Sequence, residues 1–261
     1  MKLHYIECGS KEKPLLVFLH GGGVGGWMWE RQMQYFSSNY HCIAPDLPGH
    51  GLSESTSFSI HDSAVDVIHL IQSMGQDKPI VLVGFSLGSQ IAIEVLSLDS
   101  DLIDYAIINS ALCRPIPYAR KIIGPAIKLT HGLTRNRYFA KLQAKQLYIG
   151  EAMFETYYAD TCKMNTSVLI DVLQENMSFQ VDNNFSNTNS KVLVTVGAQE
   201  KKIMKESAMD LVNMLPGCKG VVISRVGHGV PLAEPELFNE MVEAWIHDRE
   251  LPDRLLSIKM P

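Results

Sequence analysis

Gly84-Phe85-Ser86-Leu87-Gly88 sets one serine between two glycines where the hydrophobic period changes. Residues 80–83, Ile-Val-Leu-Val, form a short continuous apolar run, as a strand buried on both faces requires. Leu87–Leu98 then reads as a helix. A chain that passes from strand to helix within so few residues strains its backbone at the corner, and a bulky residue on either flank would clash. Glycines at 84 and 88 relieve the crowding and leave the Ser86 hydroxyl clear of the strand end. The helix N-terminus behind it favours developing negative charge. Together these features predict a nucleophile elbow at Ser86.

Outward from the elbow, strands and helices alternate. Leu15–Leu19 is an apolar run that ends at His20-Gly21-Gly22-Gly23. A helix over 29–36 and a strand over 40–44 follow, and the strand ends in Pro45-Asp46-Leu47-Pro48-Gly49-His50-Gly51, too rich in Pro and Gly for anything but a loop. Ile60–Met74 has helical spacing, 105–108 reads as a strand, and 3–8 alternates weakly, as an edge strand would. Such alternation predicts a parallel sheet with crossover helices. From Cys113 to about Val181 the pattern changes to successive helices, over 118–130, 138–149, 153–163 and 167–179. It resumes with a strand at 191–196, a helix at 208–215, a strand at 220–226 and a helix at 235–248. The expectation is an α/β core, residues 1–112 and 185–261, with a helical cap inserted at 113–184. Residues 251–261 read equally as packed or frayed.

A serine hydroxyl needs a base. Of nine histidines, His228 follows an apolar strand in Val226-Gly227-His228-Gly229, at the sheet edge where open α/β folds bind ligands. His20 and His50 lie in loops at the same edge and read as loop braces. His4, His41, His69 and His247 read as surface or core residues. An acyl reaction also needs oxyanion donors, expected from the backbone N–H groups of Gly22 and Leu87. Gly21-Gly22-Gly23-Val24-Gly25-Gly26 also meets the Gly-x-Gly-x-x-Gly spacing of a dinucleotide site. Two tryptophans follow at once, however, and the acidic residue in the ribose position, Asp46, lies inside a Pro-Gly loop.

With these motifs in order, the chain resembles the α/β-hydrolase family over nearly its whole length. The resemblance rests on His20-Gly21-Gly22, the loop 46–53, the serine elbow and the late Gly227-His228. It implies a mostly parallel eight-stranded sheet, a helical cap after the sixth strand, and the order nucleophile, acid, histidine. The acid is expected three residues past a glycine that ends the seventh strand; here Gly197-Ala198-Gln199-Glu200 supplies glutamate where aspartate is commoner. Glu206 and Asp210 are more distant candidates. The other acid position that some members use reads Asn109-Ser110 and holds no carboxylate, and Glu234 fits an ordinary helix start. Serine at 86 also sets the chain apart from relatives such as epoxide hydrolases and haloalkane dehalogenases, which carry Asp there.

The expected activity is therefore cofactor-free hydrolysis of small, largely apolar carboxylic esters through an acyl-serine, with no metal. Carbon–carbon bond hydrolysis or lysis, thioester hydrolysis, and a ligand-sensing receptor role are the alternatives. Met153, Phe154, Tyr157, Met164 and Leu169 are candidates to face the pocket. The net charge of -5, with no basic stripe evident along the chain, gives nucleic-acid binding no electrostatic support. No apolar run approaches a bilayer span, and residues 1–14 lack the apolar run of a signal peptide. Five scattered cysteines with no Cys-x-x-Cys pair read as buried structural thiols in a reducing cytoplasm. The expected partner is a small-molecule substrate, and the sequence sets no oligomeric state.

Overall fold

Leu15–Leu19 is buried at all five positions, so it must lie in a sheet covered on both faces. The computed structural model, which describes residues 2–74 and 78–258, shows those covers. In chain order the elements are β1 (Tyr5–Cys8), β2 (Leu15–Leu19), a 3-10 turn leading into α1 (Glu30–Phe36), β3 (His41–Pro45), α2 (Ile60–Met74), β4 (Ile80–Phe85), α3 (Leu87–Leu98) and β5 (Tyr105–Asn109). Four helices follow without an intervening strand: α4 (Ala119–Thr134), α5 (Arg137–Gln146), α6 (Glu151–Lys163) and α7 (Thr166–Ser178). The chain then returns to the sheet through β6 (Lys191–Gly197), α8 (Lys202–Met214), β7 (Lys219–Ile223), α9 (Val230–Ala233), α10 (Pro235–Ile246) and β8 (Leu255–Ser257).

The eight strands form one sheet in the order β1-β3-β2-β4-β5-β6-β7-β8. The six inner strands are parallel, and β1 and β8 close the two edges antiparallel. The two-residue period of β2 divides the core. Leu15, Val17 and Leu19 pack with Val67 and Ile71 of α2 and Ile91 of α3. Leu16 and Phe18 turn to the other face, towards Trp29, Phe36 of α1 and Phe238 of α10. Each such side chain contributes roughly 1.5–3 kcal/mol by leaving water.

Two expectations about strand order need correction. The helical insertion follows the fifth strand rather than the sixth, and the acid-bearing loop follows the sixth rather than the seventh. The sheet reaches eight strands because Leu255–Ser257, near the chain's end, pairs with β7 (Val221↔Ser257, Ile223↔Leu255). Nothing in the periodicity of three residues announces that strand; its pairing is a long-range event. Residues 259–261 lie outside the described residues. The cysteines are all free, but only Cys42 and Cys113 are buried; Cys8, Cys162 and Cys218 are half-buried.

Candidate active site

Parallel strands present their carboxyl ends at one edge, and three of them deliver the site there. At the end of β4, Ser86 has φ 54° and ψ -112°, a left-handed φ that costs a non-glycine residue roughly 1–3 kcal/mol. Its backbone is fully used in holding the corner. The N–H donates to the Asn109 carbonyl at 2.9 Å, and the carbonyl accepts from the N–H groups of Ser89 and Gln90 at 3.0 and 3.2 Å. The flanking glycines answer to close backbone approach. A Cβ on Gly88 would lie 2.2 Å from the Leu19 carbonyl oxygen, and one on Gly84 2.6 Å from the Gly88 carbonyl oxygen.

His228 stands on the loop after β7, with Nε2 2.9 Å from Ser86 Oγ and Nδ1 2.7 Å from Glu200 Oε2. The Phe85 ring lies against the imidazole, centroids 5.1 Å apart. Glu200 follows β6, and a Cβ on Gly197 would meet the Gly227 carbonyl oxygen at 2.3 Å. The glycine that ends β6 thus lets the glutamate loop and the histidine loop touch. The other Glu200 oxygen accepts from the Ser110 hydroxyl at 2.7 Å and the Gly197 N–H at 2.9 Å. Burial is the largest single influence on this carboxyl and pushes its pKa up. The His228 hydrogen bond and charge, with those from Ser110 and Gly197, outweigh burial and hold the group below the ordinary carboxylate value.

The structure separates the other candidates from this centre. Glu206 and Asp210, both on α8, are taken up by Arg114, which donates to Glu206 Oε2 at 2.7 Å and to both Asp210 oxygens at 2.5 and 2.9 Å. His20 donates from Nδ1 to the Gly21 carbonyl at 2.7 Å and accepts the Leu47 N–H on Nε2 at 2.9 Å. It therefore braces one loop on the next, as expected. His50 donates to the Pro48 carbonyl and packs edge-on against His20. Asp46 accepts from the N–H groups of Gly26 and Leu52 and pairs with His4, so its oxygens are spent within the loops that a dinucleotide ribose would have to approach.

Gly22 and Leu87 flank Ser86 at the floor of a cavity of about 560 Å³. Neither N–H has a protein acceptor among the described residues. All four insertion helices contribute wall, through side chains such as Ile127, Phe139, Tyr157 and Leu169. Of the five expected pocket residues, Tyr157, Met164 and Leu169 line it. Met153 and Phe154 do not; Phe154 instead stacks on Tyr158 at 6.1 Å. Helical periodicity alone does not say which side of a helix in an insertion meets the core. A smaller cavity of about 320 Å³ shares Ser86, Asn176 and His228 and adds Lys201 and Met204.

Sequence reasoning passed over two further features. Ser110, noted only as lacking a carboxylate, supports Glu200 from a left-handed backbone position (φ 59°). Asn176 is reached through buried Gln90, whose amide nitrogen donates to the carbonyls of Leu112 and Asn176 at 2.6 and 2.9 Å. Those two acceptors fix the Gln90 amide, so its oxygen accepts from Asn176 Nδ2 at 2.8 Å. A polar residue one turn past the nucleophile, within the mostly apolar first half of the helix, was the available signal.

The alpha/beta hydrolase family model matches residues 16–241. The chain belongs to this family. It is an enzyme, and a hydrolase. Over 258 residues it is 26% identical to an (E)-2-((N-methylformamido)methylene)succinate hydrolase of Acinetobacter baylyi, with 93% of each chain covered. Likeness to Epoxide hydrolase 1 of Caenorhabditis elegans, 35% identical, is confined to 86 residues, 31% of this chain and 21% of that protein. Among solved structures, a thermophilic esterase from Thermogutta terrifontis matches with a TM-score of 0.73 at 20% identity, over 94% of this chain and 93% of that one. At that identity the likeness speaks for the fold. Among the described residues, no helix is long and apolar enough to cross a membrane.

Proposed function

We propose that this hydrolase cleaves small, uncharged, largely apolar carboxylic esters through an acyl-serine intermediate, with Ser86, His228 and Glu200 as its triad. One observation carries the reading. The contacts Ser86–His228–Glu200 lie at the floor of a cavity whose described lining holds neither Lys nor Arg. An ionised Glu200 can only accept, so His228 carries its proton on Nδ1 and offers the Nε2 lone pair to the Ser86 hydroxyl. Ser86 Oγ attacks the ester carbonyl carbon while its proton passes to Nε2. The oxyanion rests on the N–H groups of Gly22 and Leu87. The bond to the alcohol oxygen breaks, the alcohol leaves with the proton from His228, and water repeats the sequence to release the acid and restore Ser86.

Residues 113–184 act in this reading as a cap that shapes the acyl site over a core of 1–112 and 185–261. The Acinetobacter relative is named for a succinate derivative; the 560 Å³ cavity over Ser86 has no described cation to meet such a substrate, and Lys201 lines only the smaller cavity beside it. Neutral esters should therefore be turned over in preference to thioesters, vinylogous diketones and succinate derivatives. Ser86→Ala should abolish labelling by a fluorophosphonate probe and lower ester turnover by at least about a thousandfold. Persistent labelling would place the nucleophile elsewhere, and a preference for diketones would reject the ester reading.

A further inference from the structure

The expectation of no basic stripe along the chain fails at one place: residues 114–150 carry eight Lys and Arg and no Asp or Glu, although the whole chain has 23 Lys and Arg against 28 Asp and Glu. The charge is therefore segregated onto one part of the molecule, which holds α4 and α5. Helix α4 turns Ala119 and Ile123 inward, where both are buried. Its flank at Ile122, Ala126, Leu129 and Leu133 repeats at the spacing of one helix face, yet it is uncovered: Ile122 is 61% exposed and Leu129 88%. Tyr118, just before the helix, and Tyr138, on α5, are also exposed, at 72% and 73%. Arg114, Arg120 and Arg137 pair with carboxylates. Lys121, Lys128, Arg135, Lys141 and Lys145 have no carboxylate partner among the described residues. The same helix also walls the catalytic cavity through Ile127, Thr130 and Leu133. Leu133 belongs to both surfaces, so apolar surface continues from the outside of α4 into the cavity.

We propose that this flank of α4, with the basic side chains around it, docks on an anionic lipid surface and lets apolar substrate enter from the lipid. Exposed aliphatic side chains beside unpaired lysines and interfacial tyrosines are what such a surface accepts: the apolar groups enter the acyl boundary while the cations meet phosphate. A second copy docked face to face would set like charges together. The docking stands independently of the ester reading.

The full chain should co-sediment with vesicles of phosphatidylcholine mixed with phosphatidylglycerol, at least about tenfold more tightly than with phosphatidylcholine alone, and less so as salt rises. Leu129→Asp, and separately Lys121→Glu with Lys128→Glu, should each weaken binding by at least about tenfold. None of these side chains lines the cavity, so turnover of a water-soluble ester should stay unchanged. Absence of binding to the mixed vesicles overturns the proposal. So does binding indifferent to Leu129→Asp and competed away by polyglutamate, which would mark an acidic macromolecule as the partner. Sedimentation velocity showing a dimer that Leu129→Asp dissociates would assign the face to self-association and overturn it as well.

Discussion

Glu200 spends both of its oxygens, one on His228 and the other on Ser110 and the Gly197 N–H. A carboxylate held on that many donors stays ionised although buried, because each donor favours the charged form. Glu200→Gln keeps the shape, loses the charge, and offers an amide N–H₂ to the nitrogen that should donate. The imidazole would then favour the wrong tautomer. We expect kcat to fall by about a hundredfold to ten-thousandfold with KM little changed. Glu206→Gln and Asp210→Asn should stay near wild type, since these carboxylates serve Arg114. Steady-state kinetics on the three variants, each checked for folding by circular dichroism, decides the assignment; collapse of either α8 variant with Glu200→Gln active would overturn it.

At the scale of the element, the junction of β2, β4 and α3 leaves no room for change. A methyl at position 88 would meet the Leu19 carbonyl at 2.2 Å, so Gly88→Ala must push α3 off β2. A loss of about 1–3 kcal/mol in denaturant unfolding is expected, with Ser86 displaced and turnover reduced. Gly132 in α4 is the contrast, exposed and with no heavy atom within 4 Å of its would-be Cβ. Gly132→Ala should stabilise the protein by roughly 0.5–1 kcal/mol through helix propensity and leave turnover intact. Equal effects at both positions would show that packing around the elbow is looser than these distances require. The insertion helices obey a different logic. They bury few large side chains and serve chiefly as cavity wall and outer surface.

For the molecule as a whole, acid stability is set by groups that burial forbids to charge or that partners hold charged. Burial, chiefly, lowers the pKa of His50 to about 3 from 6.5, with neighbouring His20 adding to it, and burial lowers His20 likewise. Each folded-state pKa lies below the unfolded one, so the unfolded chain binds more protons in between. The stability these histidines contribute is complete above the unfolded value and is lost as pH falls towards the folded one. Glu200 has the same sign, because its folded pKa is also depressed. Unfolding free energy should therefore decline as pH drops from 6.5 towards about 3. His50→Leu should flatten that slope even if it lowers the plateau. A slope unchanged in His50→Leu, measured by denaturant unfolding across the window, would show that His50 does not carry it.

Much of this molecule was legible in its sequence. The apolar runs at β2 and β4, the glycine pair around Ser86, and the strand-then-loop settings of Glu200 and His228 each encode a local demand of backbone geometry or burial. Local demands are written locally. The four insertion helices were legible for the same reason, by period. What only the tertiary structure decided depends on residues far apart in the chain. Ser110 and Glu200 meet across 90 positions, and Gln90 orients Asn176 across 86. Arg114 draws Glu206 and Asp210 away from the histidine, and Leu255–Ser257 becomes a strand only because β7 leaves it an edge. Which sides of α4 and α6 face the cavity, and which flank of α4 lies bare beside unpaired lysines, follows from how the insertion seats on the sheet. No period in a single helix carries that information, because it is the neighbouring element that determines which face is buried.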